Sequence, residues 1–157
     1  MVDDITPTYI SWLNDPRVTR FSNQRFRLHN EATSLAYLAS FASNDDLFIS
    51  LRDLSSGSAI GTMTAYINRH HGTADIGLLI GDPLVWGKGY GQEAWNMLGD
   101  WLLSVVKIRK LTAGTVAGNI GMVRIMQRFG MYHEATRYGQ ELIENKPQDL
   151  VYYAKVL

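Results

Sequence analysis

The chain of 157 residues contains no cysteine, which excludes disulfides, thiolate metal sites and a cysteine nucleophile together. It also lacks net charge, because 15 Lys and Arg balance 15 Asp and Glu. A neutral chain offers no overall field to attract DNA, RNA or an acidic membrane surface, so neither nucleic acid nor membrane is an expected partner. No apolar run approaches the ~18 residues needed to cross a bilayer. The start, with Asp3 and Asp4, has neither the basic nor the apolar region of a signal peptide. A cytoplasmic setting is expected. No repeat, low-complexity tract or linker interrupts the chain. With 46% hydrophobic and 19% charged residues, residues 1–157 read as a single globular domain with one substantial core.

Against these absences stands one distinctive stretch, Val85-Trp86-Gly87-Lys88-Gly89-Tyr90-Gly91. Its glycines alternate, follow the apolar run Ile76–Ile80 and precede a long amphipathic segment beginning at Gln92. Glycine allows close backbone approach or positive φ. A glycine turn that opens a helix directs unpaired N–H groups and the positive helix end at an anion. The stretch is either a phosphate seat or simply a tight turn. It is not a P-loop, which needs Ser or Thr after its Lys, since Lys88 is followed by Gly89. Nor is it the dinucleotide fingerprint G-x-G-x-x-G, because the spacing here is G-x-G-x-G.

Taken in order, Thr6-Pro7 predicts an N-cap and first helical residue, with Ile10, Trp12 and Leu13 as apolar contacts and Asn14-Asp15-Pro16 as the stop. Arg17 to His29 is basic, with Arg17, Arg20, Arg25 and Arg27 around Phe21 and Phe26. It reads either as a solvated loop anchored by its two phenylalanines or as a phosphate-binding segment. A helical pattern runs from Asn30-Glu31 to Ser43-Asn44. Strands are expected at Leu47–Leu51, Ala59–Ile67 and Thr73–Ile80, with turns at Asp53–Gly57 and Asn68–Gly72. The pair His70-His71 sits in the second turn without further ligands at metal-binding spacing, so no metal is expected. Ala94, Trp95, Leu98, Trp101, Leu102, Val105 and Val106 recur at helical spacing. Lys110–Val116 reads as a strand, and Gly118-Asn119 caps a helix from Ile120 to about Phe129 that Gly130 stops. Tyr132–Leu142 and Leu150–Val156 are the last strands, joined around Asn145-Lys146-Pro147. The order predicts an α+β protein with helices on both faces of a mixed sheet.

The glycine stretch resembles motif A of the GNAT N-acetyltransferase superfamily, Gln/Arg-x-x-Gly-x-Gly/Ala. Gly89 and Gly91 match the small positions, and Trp86 stands where Gln or Arg is usual. W-G-K-G-Y-G followed by x-E-A, with W-L-N-D-P near the start, is similar to the branch containing ribosomal-protein Nα-acetyltransferases and nucleotide-sugar amine acetyltransferases. The resemblance implies a twisted, mainly antiparallel sheet that splits between Asp75–Ile80 and Lys110–Val116. The family's usual first strand has no counterpart, either because it is lost or because the chain starts inside the usual domain.

The resemblance further implies acetyl-CoA as cosubstrate, held by Gly87, Lys88, Gly89, Tyr90, Gly91 and Gln92. Backbone at Leu79 and Ile80 would pair with the pantetheine arm. Asn119 matches the start of a second CoA-binding segment, though it is equally a good helix cap. Asp75, in Ala-Asp-Ile-Gly where relatives carry Ala-Glu-Ile-Gly, is the candidate base, with a plain strand-end carboxylate as the alternative. The family's usual acid is a tyrosine at the position of Met126, which leaves Tyr132 and Tyr90 as weaker substitutes. At pH 7, deprotonating a lysine amine costs about 4.6 kcal/mol against about 1.2 for an α-amine. Modest acid–base equipment therefore suits an amino sugar or a protein N-terminus better than a lysine side chain. The expected activity is acetyl transfer to a primary amine, leaning to a nucleotide-linked amino sugar contacted by Arg17, Arg20, Arg25 or Arg27. A protein N-terminal acetyltransferase and a catalytically idle CoA-binding module are the alternatives, and a homodimer is compatible with either.

Overall fold

A computed structural model describes residues 5–157. Asp3 and Asp4, at the start read as lacking a signal peptide's features, lie outside the described residues, as does the place of a strand before the first helix. Five α-helices and six strands follow in the order α1 (Pro7–Leu13), α2 (Pro16–Thr19), α3 (Glu31–Ala39), β1 (Leu47–Arg52), β2 (Ala59–Asn68), β3 (Thr73–Ile80), α4 (Tyr90–Ser104), β4 (Lys110–Val116), α5 (Ile120–Arg128), β5 (Tyr132–Ile143) and β6 (Lys146–Val156). Short 3-10 turns occupy Asn23–Phe26 and Pro83–Val85. The sheet order is β1-β2-β3-β4-β6-β5. β1–β2, β4–β6 and β5–β6 are antiparallel, and β3 meets β4 in parallel. The fold is thus α+β with a six-stranded, mostly antiparallel sheet, as expected.

Two compact units make up the chain. The first comprises the described residues up to Tyr66 together with Gly77–Tyr90. Its core gathers Tyr9, Trp12 and Leu13 from α1, packed by Ile5, Ile10, Val18, Phe48, Ala59 and Leu79. Thr6 caps α1 by accepting from the Tyr9 amide at 3.1 Å, as the Thr-Pro pair predicts. The Trp12 indole lies directly on the backbone of Gly81, where an added Cβ would come within 2.0 Å of the ring. Only glycine fits there.

The second unit comprises Ile67–Ile76 and Gly91–Leu157. α4 buries Trp95, Leu98, Gly99, Leu102 and Leu103. Trp101 and Val105, expected in that stripe, are 43% and 64% exposed. Val105 lies past the end of α4 at Ser104, and on the helix the buried face runs through 95, 98, 99 and 102, where the missing side chain of Gly99 admits the Phe129 ring.

Elsewhere, local chemistry moves three boundaries. The Arg17–His29 segment is not a loop throughout: Asp15 accepts from the Arg17 amide, Pro16 starts α2, and Ser22 caps the following 3-10 turn. Nor is Phe26 a core anchor, being 70% exposed. α3 ends at Ala39 rather than at Ser43-Asn44. The last hairpin turns at Glu144-Asn145, both at positive φ (52° and 60°), so β6 begins at Lys146 rather than Leu150. Paired positive φ is the geometry of a two-residue hairpin turn, which matches strand twist.

Candidate functional site

The glycine stretch lies in the first unit up to Tyr90 and leaves the end of β3 through a tightly built loop. Asp82 Oδ1 accepts from the Leu84 amide at 2.9 Å, Pro83 opens the 3-10 turn, and the Lys88 amide donates to Val85 O at 3.3 Å. Gly87 and Gly89 have φ of 74° and 93°, values that side-chain-bearing residues adopt at a cost. A Cβ built on either would meet nothing within 4 Å, so open space lies over both. Gly89 immediately precedes α4 and has no side chain with which to cap it. The 15-residue helix α4 therefore opens without a side-chain acceptor from the residue before it. Open space and positive φ at the start of a long helix suit a pyrophosphate group.

Trp86, where the family motif carries Gln or Arg, donates its indole N–H to Ile80 O at 2.9 Å. The carbonyl of Leu79 lies against Gly61, 2.2 Å from where a Cβ would stand. In the expected pantetheine-pairing segment, the Ile80 carbonyl thus already accepts one bond from the protein itself, and the Leu79 carbonyl packs close to the Gly61 backbone. Tyr90 donates its hydroxyl to Asp53 Oδ2 at 2.8 Å, an attachment that weakens its candidacy as a proton donor. Asp53 also accepts from the hydroxyls and amides of Ser55 and Ser56. The bonds from Ser55, Tyr90 and Ser56 hold its carboxyl far below the usual carboxylate range.

In the second unit, Asp75 sits on β3 and accepts from the Thr112 hydroxyl of β4 at 2.7 Å. Parallel pairing of Asp75 with Thr112 sets this contact. Part of Asp75 stays exposed, yet burial of the rest raises its carboxyl above the ordinary value, against the opposing pull of the Thr112 bond. A carboxylate with raised affinity for a proton is the property a general base needs. Tyr132 opens β5 at 51% exposure, and Met126 is completely buried in α5. Gln92 donates to Asn96 Oδ1 at 2.9 Å and to Ile125 O at 3.2 Å, and its own Oε1 is buried without a partner among the described residues. Asn119 is engaged as a cap, accepting from the Met122 amide at 3.4 Å and donating to the Thr115 hydroxyl at 3.1 Å.

The four arginines differ. Arg17 forms a two-pronged ion pair with Asp15, at 2.6 Å for the closest pair, which also lowers the Asp15 carboxyl. Arg20 lies over Phe21 and Arg25 over Phe26, at 5.2 and 4.2 Å. Arg25 also donates to Ser22 O. Arg27 is exposed at the end of the 3-10 turn. A shallow depression lined by Asp100, Leu103, Ser104, Lys107, Lys155 and Leu157 contains none of these candidates. No group of three or more His, Asp or Glu at metal-binding distance occurs among the described residues.

Asp53, Thr112 and the Trp86 indole escape a reading of the sequence as partners in this chemistry. Asp-Leu-Ser-Ser signals a side-chain-closed turn, but nothing in it signals a partner 37 residues on.

The sequence matches a known family, and the fold is similar to solved structures. A family profile described as "Acetyltransferase (GNAT) domain" matches residues 1–132. An N-acetyltransferase from Staphylococcus aureus Mu50 superposes with a TM-score of 0.84 at 18% identity, over 99% of this chain and 94% of that one. A ribosomal-protein-alanine N-acetyltransferase from Brucella melitensis gives 0.83 at 16% identity, over 100% and 96%. A spermidine N-acetyltransferase from Vibrio cholerae, in complex with CoA and spermine, gives 0.82 at 16%, over 94% and 86%. No curated protein sequence shows a significant match.

Proposed function

The chain belongs to the GNAT acetyltransferase family, and from that premise we propose that residues 1–157 work as one acetyl-CoA-dependent N-acetyltransferase domain acting on a primary amine. The observation that carries this reading is the open glycine loop ahead of α4, with φ of 74° at Gly87 and 93° at Gly89. Amides from Gly87 to Gly91, with Lys88 beside them, would hold the diphosphate. Each amide bond to a charged oxygen is worth roughly 1.5–3 kcal/mol. Leu79, Ile80, Gln92 and Asn119 would lie along the rest of the cosubstrate. Gln92 Oε1 fits this role as a buried acceptor that lacks a donor among the described residues.

Bound acetyl-CoA supplies the acetyl group as an activated thioester. The chain's own task is to accept a proton from the amine, and Asp75 fits it because burial already raises its proton affinity. Thr112 orients the carboxylate through Oδ2. Tyr132 is the remaining candidate acid, since the family's tyrosine position holds the fully buried, non-ionisable Met126. That same substitution supports the second reading, a CoA-binding module without turnover.

For the acceptor we propose an amine of low pKa on a nucleotide-linked amino sugar, with a protein N-terminus as the alternative class. Of the four arginines, Arg27 is best suited to a phosphate, whereas Arg17 is already paired with Asp15. Arg27→Ala is expected to raise KM for a nucleotide-linked amino sugar about tenfold and to leave KM for the free amino sugar unchanged. Equal KM changes on both acceptors, or none on either, would remove the phosphate contact. Acetylation of N-terminal peptides but of no sugar would select the alternative class.

A further inference from the structure

The loop from Asp82 to Tyr90 is tied down on both sides of its glycines by side chains bonded elsewhere in the protein. On the near side, the Trp86 indole N–H closes back onto Ile80 O at 2.9 Å, the last residue of β3. On the far side, the Tyr90 hydroxyl reaches Asp53 Oδ2 at 2.8 Å, in the turn between β1 and β2. Between these two ties lie Gly87, Lys88 and Gly89, where the loop's backbone bond among the described residues is the long one from the Lys88 amide to Val85 O at 3.3 Å. Two positive-φ glycines so weakly bonded would sample many conformations if their flanks were loose.

Asp53 is itself immobilised. Its Oδ1 accepts from Ser55 N at 3.1 Å and Ser56 N at 2.8 Å, and also from both serine hydroxyls. Asp53 O accepts from the Gly57 amide at 2.8 Å, and Arg52 donates to Gly57 O at 3.2 Å. One carboxylate oxygen therefore closes the turn while the other holds Tyr90. A rigid acceptor makes a rigid tie, and the lowered carboxyl keeps it charged throughout the working pH range.

We propose that Asp53, acting through Tyr90, and Trp86, acting on Ile80, are positioning residues that hold the glycine loop in its anion-accepting conformation before cosubstrate arrives. The proposal rests on the glycine loop being the acetyl-CoA seat. Pre-forming such a loop cuts the ordering cost that would otherwise weaken binding.

The test uses the full chain with Tyr90→Phe, Trp86→Phe, Asp53→Asn and Asp53→Ala. Tyr90→Phe keeps the ring and removes the hydroxyl that reaches Asp53, whereas Trp86→Phe removes the indole N–H together with part of the ring's bulk. Amide hydrogen exchange over 86–96 is measured without ligand, and acetyl-CoA affinity by calorimetry. Exchange is expected to quicken about fivefold or more in Tyr90→Phe and Trp86→Phe, with Kd for acetyl-CoA raised about five- to twentyfold. KM for acetyl-CoA should rise several times more than kcat falls. Asp53→Asn, which keeps an acceptor oxygen for Tyr90, should lie nearer wild type than Asp53→Ala. Wild-type exchange and wild-type affinity in both Tyr90→Phe and Trp86→Phe would overturn the proposal. If the wild-type protein binds no acetyl-CoA, the functional reading fails instead, and the exchange measurement still decides whether the two ties hold the loop.

Discussion

Replacing Gly89 by alanine separates the cost of folding the loop from the cost of filling it. Gly89 has φ of 93°, and a Cβ there meets no atom within 4 Å, so the folded protein suffers no clash. What remains is the backbone term, about 1–2 kcal/mol for an L-residue held at positive φ. For a domain of this size, each kcal/mol lowers the thermal midpoint by roughly 2–4 °C. Acetyl-CoA binding should suffer more. The methyl group enters the space over the amides, and losing one amide bond to a charged oxygen costs roughly 1.5–3 kcal/mol. That corresponds to about a 10- to 150-fold rise in Kd. Gly139→Ala is the control, since Gly139 also has positive φ (57°) and its nearest contact is Pro147 Cβ at 3.7 Å. It carries a comparable backbone term without an anion seat. Calorimetric titration of both variants, with melting curves to show that they fold, reads the difference. Unchanged affinity in folded Gly89→Ala, or equal weakening in Gly139→Ala, would refute the seat.

Three further substitutions probe the rest of the account. Asp75→Asn should lower turnover about 10²-fold, yet leave the melting temperature at pH 7 equal to or above wild type. Burial makes the folded state hold the Asp75 proton more tightly than the unfolded state does. The wild-type protein therefore loses stability as pH rises from the ordinary carboxylate range through the raised value, and asparagine carries no such penalty. Turnover near wild type would return Asp75 to a plain strand-end carboxylate. Gly81→Ala forces a Cβ to within 2.0 Å of the Trp12 ring and should destabilise by about 1–3 kcal/mol or more; a wild-type melting curve would contradict that packing. Met126→Tyr, at a fully buried position, should cost stability by burying an unpartnered hydroxyl and should not raise turnover. A gain in rate would show instead that a tyrosine can reach the site.

Much of the fold is legible in the sequence because its signals are local. Thr6-Pro7, Asn30 and Asn119 each cap the helix that follows, and alternation and turn residues mark the strands. The glycine spacing, with the residues around it, is also local, and it carries the family resemblance. What escapes is set by distant partners. α2 depends on Asp15 and Pro16 acting as cap and first residue, where the same residues read equally well as a stop for α1. Trp101 looks apolar at core spacing, but the buried face runs through 95, 98, 99 and 102, where the ring of Phe129 fills the gap at Gly99, and Trp101 is 43% exposed. The Asp53–Tyr90 and Asp75–Thr112 bonds each span 37 positions and follow only from strand order and register, which no local pattern encodes.

The central claim is acetyl transfer to an amine, and thiol release from acetyl-CoA measures it most directly. The wild-type protein is assayed with amino sugars, nucleotide-linked amino sugars, peptides with free N-termini and polyamines, each against a control without amine. Thiol release is expected to depend on one class of amine, to be matched mole for mole by the acetylated product and to fall in Asp75→Asn. Release no faster with any amine than without one, from a protein that calorimetry shows to bind acetyl-CoA, would contradict acetyl transfer and leave a CoA-binding module in its place.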